Sequence, residues 1–180
     1  MKSTWSGACG RVLLTLLAVS CGAVAMAQDV KVDFDKDANF GSIKTFALKV
    51  GTTWGNPISE KRVATEFEQA LTEKGWAKAE EGKADAIVVL HGATQVKKDL
   101  NTFYSGGGGY RYRGFGTAQT TVTEYTVGTL VVDIFEAKSK ALIFRGTASD
   151  EISDKPEKNA KKLAKASDKM FKDFPPGAKK

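Results

Sequence analysis

The sequence contains few of the residues on which thiol and metal chemistry depend. Its only cysteines are Cys9 and Cys21, both close to the N-terminus, and its single histidine is His91. A chain that loses residues 1–27 would keep no thiol, which excludes a disulfide, a thiolate nucleophile and a cysteine metal site. One histidine also excludes a metal cluster built from several imidazoles. The sequence therefore predicts neither a metal site nor a cofactor.

Long hydrophobic runs are absent as well. The apolar stretch Val12–Val19 is much shorter than the ~20 residues that a transmembrane helix requires. It follows the basic residues Lys2 and Arg11, and an A-x-A motif ends at Ala27. This order is typical of a secretory signal peptide. We therefore expect residues 1–27 to be cleaved before Gln28, which would place the processed protein in the periplasm.

A second route of processing stays open at the sequence AVSC, residues 18–21. This segment resembles the lipobox of bacterial lipoproteins. Lipidation of Cys21 would make the protein an outer-membrane lipoprotein rather than a periplasmic protein.

The positive charge of the chain is modest and unevenly placed. The formal net charge of +6 falls to +4 without the leader, because the leader carries Lys2 and Arg11 and no acidic residue. Much of the remaining excess follows Ser153. A nucleic-acid-binding domain usually carries a basic patch or stripe across its binding surface. We expect no nucleic-acid partner.

Hydrophobic periodicity predicts a single α+β domain over residues 28–174, followed by a basic tail at 175–180. A first helix is expected to begin at the cap pair Asn56-Pro57 and to stop at Gly75. A second helix is expected over Asp154–Phe174, and strands over residues 30–34, 45–48, 86–96, 120–135 and 142–144. This order favours a mainly antiparallel sheet with two helices packed on one face.

The glycine-rich segment SGGGGYRYRGFG, residues 105–116, imitates three nucleotide-binding motifs but matches none. Gly109 and Gly114 have the spacing of a P-loop, yet Phe115 and Gly116 replace its lysine and hydroxyl residue. A dinucleotide fingerprint lacks its third glycine at Gln119. The RNA-binding pattern that starts at Arg113 is not continued, because threonine and alanine follow where apolar and stacking residues are required.

We interpret this segment as a loop, over about residues 101–118, between two strands. It is either an ordinary connection or a surface for a partner, since tyrosine and arginine are favoured at binding hot spots. The candidate partner-binding residues are Tyr104, Tyr110, Arg111, Tyr112, Arg113 and Phe115.

Other motifs for catalysis or metal binding are weak. Asp33–Asp37 imitates the start of a calcium loop, but Ala38 and Lys44 stand where glycine and glutamate are required. His91 lies alone in an apolar strand and is expected to be structural. A serine triad with His91 stays open, although no G-x-S-x-G elbow supports it.

Lysines recur along one side of the C-terminal helix. Their spacing of three and four residues places them on one face at ~100° per residue. This face is either a solvated surface or a contact with anionic lipid headgroups or an anionic envelope polymer. The candidate contact residues are Lys158, Lys161, Lys162, Lys165 and Lys169.

Three stretches of the sequence resemble a known bacterial family, the domain of unknown function 4136 (DUF4136). They read DVKVDFDKDANFGSIKTFAL, then NPISEKRVATEFEQALTEKGW followed by ADAIVVLHG, and EYTVGTLVVDIFEAKSKALIFRGTAS. The resemblance implies an envelope protein of a Gram-negative bacterium with an α+β fold, and many members resemble lipoproteins. It implies no catalytic residues.

The sequence thus predicts a non-catalytic binding or structural module of the periplasm or outer membrane. Its partner would be another envelope protein or an anionic envelope polymer, with peripheral membrane association as one form of contact. Two alternatives stay open: a hydrolase of the envelope that uses carboxylates, and a lipoprotein anchored through Cys21.

Overall fold

The structure is a computed structural model that describes residues 28–105 and 117–176. The strands are β1 (Asp29–Phe34), β2 (Thr45–Thr52), β3 (Ala77–Lys78), β4 (Ala86–Ser105), β5 (Thr117–Glu136) and β6 (Leu142–Glu151). The helices are α1 (Pro57–Glu73) and α2 (Pro156–Met170), with a short 3-10 turn at Phe40–Ser42.

All six strands form one sheet in the order β1-β6-β5-β4-β2-β3. The neighbours β1 and β6, β6 and β5, and β5 and β4 pair antiparallel. The β2 strand is parallel to both β3 and β4. Helix α1 follows β2 in the chain and crosses over the sheet before β3 begins, which allows the parallel pairing. The predicted α+β fold is confirmed, and its sheet is mixed at one side.

Both helices cover the same face of the sheet, which we call the helix face. One core cluster joins Leu90, Val132 and Phe144 of the sheet to Phe67 of α1 and Met170 of α2. The other side, which we call the open face, has only a small second cluster of Ala47, Ile87 and Val89. Since residues 86–90 are buried on both faces, β4 is the central strand that its apolar sequence predicts.

The ends of α1 follow the predicted signals. The side chain of Asn56 accepts a hydrogen bond from the backbone N–H of Ser59 at 3.1 Å. Pro57 occupies the first turn, and Gly75 follows the helix with a φ of 91°, a conformation that favours glycine. The predicted cap pair and stop residue are therefore confirmed.

Helix α2 ends earlier than predicted, at Met170 rather than near Phe174. The chain turns after the helix, and the ring of Phe174 packs 5.0 Å from Trp76 and 5.9 Å from Phe40. A straight helix continued to Phe174 would not bring its ring to Trp76 and Phe40. The early end of the helix therefore allows this ring to be buried.

Strands β4 and β5 are longer than predicted and extend beyond the rest of the sheet. Pairing with β2 stops at His91, and pairing with β6 begins at Val127. The remaining residues, 93–105 and 117–126, form a two-stranded ribbon that we call the arm. The prediction of a loop over about residues 101–118 is wrong at both ends, because residues 101–105 and 117–118 are strand.

Cross-strand pairs in the arm explain this extension. Leu100 lies opposite Val122, and Lys98 forms an ion pair with Glu124 at 2.6 Å. Residues 106–116 lie outside the described residues. No helix in the described ranges is long and apolar enough to span a bilayer.

Candidate functional site

A groove of about 620 Å³ lies on the helix face, between the N-terminal halves of α1 and α2. Its floor is formed by β4, β5 and β6, and its walls by the two helices and the segments that lead into them. Both helices begin beside it, so its geometry depends on the sheet and on both helix entries.

Small residues form the floor. Gly92 of β4, Gly128 of β5 and Ala148 of β6 occupy positions that face the helices, where Leu90 and Val132 carry large side chains nearer the core. A Cβ added at Gly92 would overlap the ring of Trp54, and one at Gly128 would lie 3.0 Å from Ile152. The two glycines therefore allow Trp54 and Ile152 to contact the backbone of the sheet, and no side chain of β4 or β5 projects into the groove at these positions.

Trp54 forms one end of the groove and is held in place by α1. Its indole N–H donates to Ser59 Oγ at 2.8 Å, and its backbone N–H donates to Glu60 Oε1 at 3.0 Å. Two bonds to neighbouring residues of the first helical turns fix both the backbone and the ring. The wall is thus preformed.

The α2 wall is held by a connected set of polar contacts. Lys162 Nζ donates to Asp150 Oδ1 at 2.9 Å and to the carbonyl of Glu151 at 2.6 Å. Gln28 Nε2 donates to the carbonyl of Lys162 at 2.8 Å, while Gln28 Oε1 is buried without a partner among the described residues. Lys162 is half-buried and differs in this from the other predicted lysines, which are exposed.

The mouth of the groove is aliphatic. Ile58, in the first turn of α1, is 75% exposed, and Ile152, before α2, is 40% exposed. Arg62 lies on the rim one turn further along α1. Further along the same face, the arm exposes Val96, Leu100 and Val122, which are separated by the ion pair of Lys98 with Glu124.

The charged groups at the groove do not resemble a hydrolytic pair. Asp150 and Glu151 both line the groove; the carboxylate of Asp150 and the backbone carbonyl of Glu151 are bound to Lys162. The pKa is displaced for four groups of the described residues, and none of the four lines the groove.

The causes of the four displacements are local. Burial, and then Asp168 and Glu73, raise the pKa of Glu66. A hydrogen bond from Lys49 lowers the pKa of Glu81, and bonds from Lys44 and Thr45 lower that of Asp85. The hydrogen bonds to Asp133 raise the pKa of Arg145.

The open face carries a second polar cluster around His91. Asp133 is 3% exposed and accepts two hydrogen bonds from Arg145, each of 2.6 Å. His91 Nδ1 lies 2.9 Å from Thr52 Oγ1, but His91 Nε2 is 3.9 Å from Asp133, too far for a hydrogen bond. Since Arg145 occupies the carboxylate, the cluster is a structural ion pair with a neighbouring histidine.

The remaining predicted residues fall in different places. Lys158, Lys161, Lys165 and Lys169 lie on the exposed side of α2, away from the floor of the groove. Gln28 lies in the groove wall, whereas Ala27 and Cys21 lie outside the described residues. Tyr104 belongs to β4, and Tyr110, Arg111, Tyr112, Arg113 and Phe115 are outside the described residues. Within the described ranges no cluster of three metal-binding side chains occurs.

The groove itself was missed by sequence reasoning. Its signal is the pair of glycines that interrupts two otherwise strand-forming runs, Gly92 after AIVVLH and Gly128 between Val127 and Thr129. A glycine inside a strand pattern indicates a close approach of another group to the backbone. Trp54 and Ile152 are those groups.

Comparison with known proteins assigns the fold. The sequence profile of a family described as "Domain of unknown function (DUF4136)" matches residues 30–176. The chain belongs to the DUF4136 family. A search of curated proteins gives no sequence match.

Solved structures with the same fold are distant in sequence. A DUF4136 family protein from Bacteroides thetaiotaomicron superposes with a TM-score of 0.52 at 14% identity, covering 82% of this chain and 96% of that one. A PDZ domain protein from Parabacteroides distasonis gives a TM-score of 0.50 at 16% identity over 84% of this chain. This chain spans 37% of that protein's length. Both similarities support the DUF4136 fold alone.

Proposed function

We propose that this DUF4136 protein is a non-catalytic binding protein of the bacterial envelope that holds an aliphatic ligand, such as an acyl chain, in the groove. The observation that carries the proposal is the preformed groove of about 620 Å³ with a floor of glycine and alanine. Known small-molecule sites are concave, largely preformed and mostly apolar, with volumes of ~300–1,000 Å³.

The lining of the groove favours a ligand with an apolar body, and Arg62 on the rim could meet a polar headgroup. The ammonium of Lys162 is already bonded to Asp150 and to a backbone carbonyl, so its charge is neutralised within the protein. The mouth carries Ile58 and Ile152, which a chain of methylene groups would cover. Each buried methylene contributes ~0.8 kcal/mol, so a chain of modest length would bind measurably.

The envelope part of the proposal is supported by the leader-like segment at residues 1–27 and by the resemblance to envelope proteins. The non-catalytic part is supported by the pairing of Asp150 with Lys162, which takes up a carboxylate that hydrolysis would require.

A fluorescence titration tests the groove directly. The neutral apolar dye N-phenyl-1-naphthylamine should bind the purified protein saturably with enhanced emission, and laurate should displace it. Thr94→Trp would place an indole over the floor of the groove and should weaken dye binding at least about tenfold, since ring volume replaces ligand volume.

Thr102→Trp is the matched control. Thr102 lies on the same strand and the same face, eight residues further along the arm and outside the groove. It should leave dye binding unchanged. Equal loss in both variants, or dye binding unaffected by Thr94→Trp, would contradict the proposed site.

A further inference from the structure

The outer side of α2 is a continuous row of lysines. Lys158, Lys161, Lys165 and Lys169 are all exposed, and they lie opposite the buried positions of the helix, such as Met170. None of the four forms an ion pair within the described part of the chain, although Lys169 Nζ lies 3.5 Å from the backbone carbonyl of Gln28. Lys162, in contrast, is turned toward β6 and pairs with Asp150.

The acidic residues of α2 do little to neutralise this row. Glu157 and Asp168 lie at its edge, and Asp168 acts on Glu66 of α1, whose pKa it helps to raise. Neither Glu157 nor Asp168 forms an ion pair with these lysines within the described part of the chain. Like charges three and four residues apart repel on a helix, and an external anionic surface would relieve this repulsion.

An exposed apolar residue, Ile58, lies on α1, the helix beside α2. Ile58 of α1 is 75% exposed although it lies beside the groove that both helices flank. Basic residues combined with protruding aliphatic ones are typical of surfaces that lie in the headgroup region of a membrane. An anionic polymer would complement the lysines but would provide nothing to bury Ile58.

We propose that the helix layer docks on an anionic lipid bilayer, with these four lysines against the headgroups and Ile58 inserted between them. The inference stands on the charge and exposure of α1 and α2 and does not depend on what the groove holds. In this orientation the mouth of the groove would face the bilayer.

Vesicle sedimentation tests the docking. The protein purified from cells should pellet with vesicles of phosphatidylglycerol and phosphatidylcholine at low salt, and should be released at high salt as the Debye length shortens. Vesicles of phosphatidylcholine alone should retain little protein. Lys158→Gln, Lys161→Gln and Lys165→Gln together should weaken binding at least about tenfold, because each lysine near an anionic surface contributes to the affinity.

A second triple variant, Lys44→Gln, Lys97→Gln and Lys138→Gln, removes the same charge from the sheet and its turns and should bind almost as well as wild type. Ile58→Ser should also weaken binding while circular dichroism shows a folded protein. Equal losses in the two triple variants would overturn the proposal, since they would indicate net charge alone. Retention on dextran sulfate without vesicle binding would overturn it in favour of a polymer.

Discussion

Two aspartates link different strands of the sheet, in different electrostatic surroundings. Asp133 is buried and satisfied by the guanidinium of Arg145. Asp85 instead binds the start of β2, accepting from the N–H groups of Lys44 and Thr45 at 3.0 Å each. It therefore joins β2 to the residue that precedes β4.

The Asp85 contacts predict a specific dependence of stability on pH. Hydrogen bonds lower the folded-state pKa of Asp85 from its ordinary value of 3.8. The stabilisation is therefore fully present above pH 3.8 and is lost as the pH falls through the lowered folded value. Asp85→Asn should lower the melting temperature at pH 7, because a neutral amide accepts these bonds less strongly.

Thermal unfolding followed by circular dichroism at several pH values checks this expectation. The difference between wild type and Asp85→Asn should be constant at neutral pH and should shrink in acid as the pH falls through the lowered folded-state pKa of Asp85. Asp99→Asn, on the exposed arm, is the control and should have little effect. A difference that persists unchanged in acid would count against the pairing.

Sequence alone identified some residues and could not identify others, for reasons that are physical. Asn56, Pro57 and Gly75 were predictable because a helix end needs local capping chemistry. Asp133 was not predictable as a buried ion-pair residue, because its partner Arg145 lies on another strand and is placed by sheet register.

At the scale of elements, both helices pack on the central part of the sheet, whereas the arm extends beyond them and is exposed to solvent. Among the described residues, β4 and β5 pair only with each other along residues 96–105 and 117–126, and the side chains of residues 93–102 and 120–124 are exposed. An isolated two-stranded ribbon is marginally stable in water. The arm should therefore contribute little to the stability of the domain.

Removal of the arm tests its independence. Replacing residues 97–125 with Asn-Gly joins Val96 to Thr126, which lie opposite each other. The melting temperature should change by less than about 4 °C, equivalent to about 1 kcal/mol, and unfolding should remain cooperative. Differential scanning calorimetry measures both quantities.

A milder variant separates the arm from the segment at its end. Replacing only residues 106–116 with a short Gly-Ser linker should leave the melting temperature nearly unchanged, since loop length alters closure entropy slowly. Loss of several kcal/mol in either variant would mean that residues of the deleted part stabilise the domain.

The lengths of β4 and β5 were harder to predict than the lengths of the helices. Helix α1 has an apolar stripe and caps, so its own sequence defines its ends. The outer parts of β4 and β5 lack a buried face, and residues such as Lys97, Lys98 and Asp99 read as loop. Only cross-strand pairing, as between Leu100 and Val122, makes this segment a strand.

At the scale of the whole molecule, the groove combines parts that are far apart in the chain. Its lining includes residues from the N-terminal segment, both helices and the sheet, namely Gln28, Arg62, Gly92, Gly128 and Lys162. The fold class followed from the order of elements, but the groove depends on how both helices sit on the sheet. No local pattern specifies that arrangement, so only the small residues of the floor indicated it.

Processing of the N-terminus is the prediction that belongs to the whole chain. The A-x-A motif before Gln28 leads us to expect a processed protein that begins at Gln28 and fractionates with the periplasm. N-terminal sequencing and intact mass of the protein from cells check this. An acylated N-terminal Cys21, or accumulation of precursor when lipoprotein signal peptidase is inhibited, would contradict it and support the lipoprotein alternative.

The floor of the groove and the root of the arm are the same two stretches of backbone. Gly92 and Gly128 lie within two residues of one another across the β4–β5 pair, where the neighbouring strands end. From this root to Ser105 the arm measures roughly 40 Å at ~3.3 Å per residue. A tilt of about 10° there would displace the far end by roughly 7 Å over that length. Because the floor and the root share this backbone, a change in the angle of the arm at its root would also change the shape of the groove floor.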